Sequence, residues 1–336
     1  YYTQLDELRG LTGSETIPAM RPTGFNVVAT AMLYGVTNSY TITPNLIKIV
    51  GRHTLKMGGD VRRMDLNYYQ DNNAGGTFSF SNLYTSRNAL NAGATGDSFA
   101  SFLLGLPASG NVQTSLFTAT GLHYQGYYFN DAFQATNRLT LSLGLRWEIP
   151  GQYTERFDRQ TTFEPGMVNP VLAQAGIKVN GAPVLGAFVL VNTPDHPERG
   201  LRPEYWHLLA PRVGIAYRLS DRTVIRTGGG MFFIPTDVAF AEGPCQAAVT
   251  YFTENMVSTI DNGATYVNTL TNPYPNGFPA APGREPSYQY ALLGQSQIRS
   301  ALRTEKYGYT YQWNFSVQHQ LPSDVAVEAS YSGLRG

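Results

Sequence analysis

The sequence has 336 residues and no net charge; only 14% of its residues are charged, while Gly (34) and Tyr (22) are abundant. Low charge with many aromatics argues against disorder, and no apolar run approaches the length of a membrane-crossing helix, a test that membrane β-barrels escape because only alternate residues face lipid. A neutral chain without basic runs among its aromatics argues against nucleic acid as a partner, and the single cysteine, Cys245, has no second thiol for a disulfide or a thiolate metal site.

In chain order, residues 1–36 read as loop-like with room for one short strand, rich in Gly, Thr and Pro with one apolar patch at Val27-Val28-Ala29. The chain begins Tyr1-Tyr2-Thr3, shows no signal peptide, and reads as an internal piece cut at both ends. Residues 37–49 suggest a strand weakened by Pro44, which cannot donate to a ladder. After a tight turn at 50–52, residues 53–66 form a second strand, with His53, Leu55, Met57 and Val61 against Thr54, Lys56, Asp60 and Arg62. The alternation lapses over 67–118. Within that stretch Asp97-Ser-Phe-Ala-Ser-Phe-Leu-Leu-Gly-Leu-Pro107 spaces Phe99, Phe102, Leu103 and Leu106 as one helical face, with Asp97 or Ser98 as N-cap. That face is expected to tuck against the rest of the protein.

Residues 119–134 form an aromatic strand, and a turn at 135–137 leads into the most regular stretch of all, 138–149. There Leu139, Leu141, Leu143, Leu145, Trp147 and Ile149 share one side, and Thr140, Ser142, Gly144, Arg146 and Glu148 the other. This is the period-two pattern of a strand with one apolar face. A long Pro/Gly-rich connection with a β-like piece at 183–191 precedes two further strands, 211–219 and 222–233, joined by a turn at 220–221. Residues 234–304 are irregular. The last hairpin comprises 305–321 and 324–332, turning at 322–323.

Connections therefore alternate between tight and long, so the turns collect at one end of the strands and the loops at the other. That asymmetry belongs to up-and-down outer-membrane barrels, whereas soluble sandwiches turn every 8 to 12 residues or so with Greek-key crossings. The fold class read here is all-β: an antiparallel, transmembrane β-barrel segment of about eight strands, open, and part of a larger barrel. The whole of 1–336 then forms a partial barrel domain in contact with outer-membrane lipid. Arg146, Glu148, Arg212, Arg218, Arg226, Gln312, Asn314 and Gln318, all on the non-apolar face, are the candidates for lining a wet lumen.

Four segments carry a resemblance to a family: Gly51-Arg-His-Thr-Leu-Lys-Met-Gly-Gly-Asp-Val-Arg-Arg63, the run from Asp97 to Pro107, Asn137-Arg-Leu-Thr-Leu-Ser-Leu-Gly-Leu-Arg-Trp-Glu148, and Ala210-Pro-Arg-Val-Gly-Ile-Ala-Tyr-Arg-Leu219. In order and over about 37–336, they resemble the barrel of Oar-like TonB-dependent outer-membrane receptors. The resemblance implies a barrel of about 22 strands plugged by an N-terminal domain, a segment that touches the TonB energy-coupling complex, and often a carboxypeptidase-regulatory-like domain. None of these N-terminal parts is in the sequence, and the resemblance does not name the small ligand carried.

Enzyme chemistry has no footing here. The five histidines are scattered without zinc-site spacing, no Gly-x-Ser-x-Gly elbow occurs, and Gly228-Gly-Gly230 lies inside a strand pattern rather than at a phosphate-cradling turn, so no cofactor is expected. The leading reading is the barrel of a transporter for a scarce nutrient such as a siderophore, oligosaccharide or peptide. The alternatives are a passive porin or surface adhesin on the same barrel, and, behind these, a secreted glycan-binding sandwich.

Overall fold

A computed structural model of the chain describes residues 5–12, 16–25, 31–89, 93, 95–234, 249–286, 288, 306–322 and 325–336. The apolar patch at 27–29, Cys245, and residues 235–248, 287 and 289–304 of the expected irregular stretch lie outside the described residues.

The first half of the chain forms α1 (Leu5–Thr12), β1 (Ala19–Pro22), β2 (Met32–Ile42), β3 (Asn45–Val50), β4 (His53–Asp71), β5 (Thr77–Phe80), α2 (Ser98–Leu103), β6 (Ser109–Ser115), β7 (Thr118–Gln134) and β8 (Leu139–Pro150). The second half forms β9 (Thr154–Glu155), β10 (Thr161–Val168), α3 (Pro170–Gln174), β11 (Lys178–Val179), β12 (Ala182–Pro183), β13 (Leu185–Leu190), β14 (Leu208–Ser220), β15 (Thr223–Ile234), β16 (Tyr251–Asn255), β17 (Gly308–Gln320) and β18 (Ala326–Arg335).

Where period-two alternation is strongest in the sequence, the strands join one antiparallel sheet in the order β18-β17-β15-β14-β8-β7-β4-β2, with β3 also on β4. Neighbours in sequence are neighbours in space, as up-and-down topology requires. The sheet does not close: β2 and β18 are its two edges. β2 and β3 are one strand in effect, because both pair with β4 in a single register and the gap falls at Thr43-Pro44. Pro44 has no N–H for the ladder, yet its carbonyl still accepts from Gly59 N–H at 3.0 Å.

Several boundaries differ from the sequence reading. The strand expected at 37–49 starts earlier, at Met32, and the one expected at 53–66 runs on to Asp71. The reason is a change of facing along β4 and β7. Beyond Val61 the formerly apolar side carries Arg63 and Asp65, joined at 2.6 Å, while the other side buries Leu66 and Tyr68. A search for one continuous apolar face stops where the faces exchange character.

The 1–36 segment is not simply loop-like. β1 pairs in parallel with β5 in a second sheet, β1-β5-β6-β16, built from the N-terminal segment and two long connections. Leu8 of α1, Phe78, Phe80, Val112, Met256, Leu270 and Tyr274 form the core of this loop assembly. Local propensity could not reveal it, because its strands are four to seven residues long and meet across large sequence separations.

α2 lies where its spacing suggests and is capped by the Asp97 carboxylate, which accepts from Phe99 N–H and Ala100 N–H. Its facing differs from expectation. Ser98 and Ser101 are buried and Phe102 reaches the loop core, while Phe99 and Leu103 stay exposed. Hydrogen bonds from Thr85 Oγ1 to the Asp97 carbonyl and between Thr85 and Ser101 hydroxyls dock the polar side. The β-like piece at 183–191 is β13, paired with β10 in a separate hairpin.

Candidate functional site

Residues paired across neighbouring strands share a face, so register assigns each side chain of the large sheet. One face is apolar. Leu139, Leu141, Leu143, Leu145 and Trp147 of β8 stand opposite Tyr217, Ile215, Val213, Pro211 and Leu209 of β14. At its loop-ward margin Tyr127 pairs with Trp147, their ring centroids 6.0 Å apart, and Phe233 pairs with Tyr309. Trp147 Nε1–H donates to the Trp206 carbonyl at 2.7 Å. Charges interrupt this face at Lys48, opposite Leu55 near one edge, and at Asp131, which stands opposite Leu143 and accepts from His53 Nδ1 at 2.7 Å, and His53 stacks on Phe133.

The other face is polar, and it holds all eight candidates from the sequence. Arg146 and Glu148 meet directly, Nε to Oε1 at 2.6 Å. Arg146 also donates to Tyr124 Oη at 2.9 Å and approaches Asp60 at 4.0 Å. Asp60 is in turn clasped by Arg62, whose guanidinium lies 5.5 Å from the Tyr124 ring centre. These five side chains form a closed network near the loop-ward end, in which two cations match two carboxylates.

Arg212 lies farther toward the turns, with its guanidinium 4.6 Å from the Phe232 ring centre. Arg226 donates to Gln318 Oε1 at 2.8 Å. Gln312 and Asn314 line a hollow of about 810 Å³ over this face, together with Lys56, Asn130 and Phe232. Arg218 stands opposite Val224 close to the turn and belongs to neither group. The structure thus brings Arg146 and Glu148 together, joins Arg226 to Gln318, and leaves Arg218 apart.

Asp60, Arg62, Lys56, Tyr124, Tyr128 and Asn130 join the candidates on this face. The first three were legible, because the alternation of 53–63 already sets Lys56, Asp60 and Arg62 opposite its apolar residues. Tyr128 and Asn130 were legible too, since the alternation of 119–134 sets them opposite Tyr127, Phe129 and Phe133; Tyr124 needed the β7–β8 register, which a tyrosine-rich strand with aromatics on both sides conceals. Glycine shapes the surface: a Cβ at Gly144 would overlap Asn130 Oδ1, so the amide leans across the space a side chain would occupy. Gly228-Gly-Gly230 lies within β15. Among the described residues no group of three His, Cys, Asp or Glu is placed to hold a metal ion.

Beside the sheet, Glu155 is fully buried. It accepts from Phe157 N–H at 2.8 Å, from Arg159 N–H at 3.1 Å and from the Arg159 guanidinium at 2.7 Å. Burial alone would raise its pKa, but the hydrogen bonds from Arg159 and Phe157 outweigh it and hold the carboxyl below its ordinary value. This pair ties the 151–207 connection to the start of β7, where Ala119 N–H also reaches Glu155.

The family described as outer membrane beta barrel domain matches residues 3–336. No curated protein matches the chain. Among solved structures it is similar to the ferric-catecholate import receptor Fiu of E. coli, with 12% identity and a TM-score of 0.33 over 92% of this chain and 32% of that one. It is similar too to the ferric citrate transporter FecA (9% identity, TM-score 0.28, 91% of this chain and 31% of that one). The toluene transporter TbuX of Ralstonia pickettii gives 10% identity and a TM-score of 0.26, over 94% of this chain and 60% of that one. The chain thus spans about a third of the length of the first two.

Proposed function

The chain belongs to the outer membrane beta barrel domain family, and from that premise we propose that it forms part of the wall of an Oar-like, TonB-dependent transporter importing a scarce nutrient. It resides in the bacterial outer membrane, where the apolar face of the sheet meets lipid. The observation that carries the transport reading is the two-facedness of one sheet: an apolar face margined by aromatics, backed by a face of Arg, Glu, Asn and Gln that a water-filled interior would solvate. On this reading Arg146, Glu148, Arg212, Arg218, Arg226, Gln312, Asn314 and Gln318 line the lumen, and 1–336 is one partial barrel domain with its loops. Energy coupling would run through a plug and a TonB-contacting segment N-terminal to the barrel. The cargo class is a siderophore, an oligosaccharide or a peptide.

The test uses the full-length gene product. Heat-modifiable migration from an outer-membrane fraction, a closed baseline in planar bilayers and binding of the purified TonB C-terminal domain are the expected results. A steady ohmic conductance without TonB binding would instead establish the passive porin.

A further inference from the structure

Lys56, Asn130, Gly144 and Arg212 stand in one cross-strand row on the polar face, each paired with the next through β4, β7, β8 and β14. Between the row's two cations lies a hollow of about 380 Å³, lined also by Tyr128, Leu145 and Arg146. The charges are unequal. Arg146 is matched by Glu148 and Asp60, whereas among the described residues neither Lys56 nor Arg212 has a carboxylate within ion-pair distance. The nearby Asp131 belongs to the opposite face and is engaged by His53. The hollow is therefore lined by two cationic side chains without a carboxylate, Lys56 and Arg212, with the Asn130 carboxamide between them, a charge arrangement that suits a planar or tetrahedral oxyanion.

We propose that this hollow seats an anionic group, a carboxylate or a phosphate, on the solute carried through the barrel. The inference rests on the reading that the polar face is the wet lumen wall, and the experiment separates the two. In the full-length protein carrying Cys245→Ser, with any cysteine outside residues 1–336 likewise replaced by serine, a single thiol is introduced by Ser142→Cys, beside the row on the same face. Its reaction rates with an anionic sulfonatoethyl and a cationic trimethylammonioethyl methanethiosulfonate are then compared.

Both reagents are expected to react, the anionic one faster. Lys56→Gln with Arg212→Gln should lower the anionic-to-cationic rate ratio by about threefold or more, the effect of two charges at under about 10 Å partly screened by salt. Inorganic phosphate and acetate, added separately, should show by protection which oxyanion fits. A thiol silent toward both reagents overturns the wet-lumen reading, and the seat with it. A reactive thiol whose rate ratio ignores both substitutions, or that neither anion protects, overturns the seat and leaves the lumen reading intact.

Discussion

A charge placed on the apolar face tests the facing of the whole sheet, and the structure decides where to place it. From Leu139 to Trp147 the apolar run of β8 covers eight steps, or about 26 Å along a strand at about 3.3 Å per residue. With the usual tilt of about 40° this gives roughly 20 Å of height, close to the apolar band of such barrels. Leu143 is at its middle, and Val213 of β14 lies directly opposite, 52% exposed on the same face. Arginine at mid-bilayer costs about 2–4 kcal/mol, so Val213→Arg should lose that much. Ser142→Arg, one residue from the same depth but on the polar face, should stay within about 0.5 kcal/mol. Leu143→Arg is the instructive third case. Asp131 stands opposite it in β7, and an opposite-charge cross-strand pair returns roughly 1 kcal/mol, so its loss should fall between the other two. Urea unfolding of the full-length barrel from lipid vesicles, followed by tryptophan fluorescence, supplies the numbers. Equal losses for Val213→Arg and Ser142→Arg would refute the facing derived from register, and Leu143→Arg as costly as Val213→Arg would refute the role given to Asp131.

Two predictions concern the loops. Glu155→Gln leaves the Arg159 guanidinium inside without its carboxylate, and breaking a buried pair costs about 3 kcal/mol or more; proteolytic nicking of the 151–207 connection should accelerate accordingly in the intact barrel. Because the folded pKa of Glu155 is depressed, its contribution is fully present above its unfolded pKa of about 4.3 and is lost as pH falls through the lower folded value. Wild-type nicking should therefore approach the variant's rate only well below pH 4, and a wild-type rate that already matches it at pH 6 would count against the assignment. Asp97→Ala removes the acceptor for Phe99 N–H and Ala100 N–H and should cost about 1 kcal/mol. The readout is faster hydrogen exchange across 98–103 with no change in the membrane sheet; unchanged exchange there would show that the cap carries no weight.

The sequence by itself determined the eight spanning strands and their order, because a half-buried strand must alternate and a tight turn can join only neighbours in an antiparallel pair. It determined the facing of Arg146, Glu148, Arg212 and Arg226 for the same reason: period two admits only two choices of face, and the leucines of β8 make one of them. It suggested the Asp97 cap, since an N-cap is a local interaction. The tertiary structure alone decided which side chains on a face meet. Arg146 finds Tyr124 and Asp60 through register across three strands, and β7 does not announce that register. It alone decided the second sheet, where β1, β5, β6 and β16 come from segments up to more than two hundred residues apart, too short to be stable or recognisable singly. It also decided that α2 docks by its serines, through the hydrogen bonds of Thr85 to the Asp97 carbonyl and the Ser101 hydroxyl, contacts that apolar spacing within the helix does not encode.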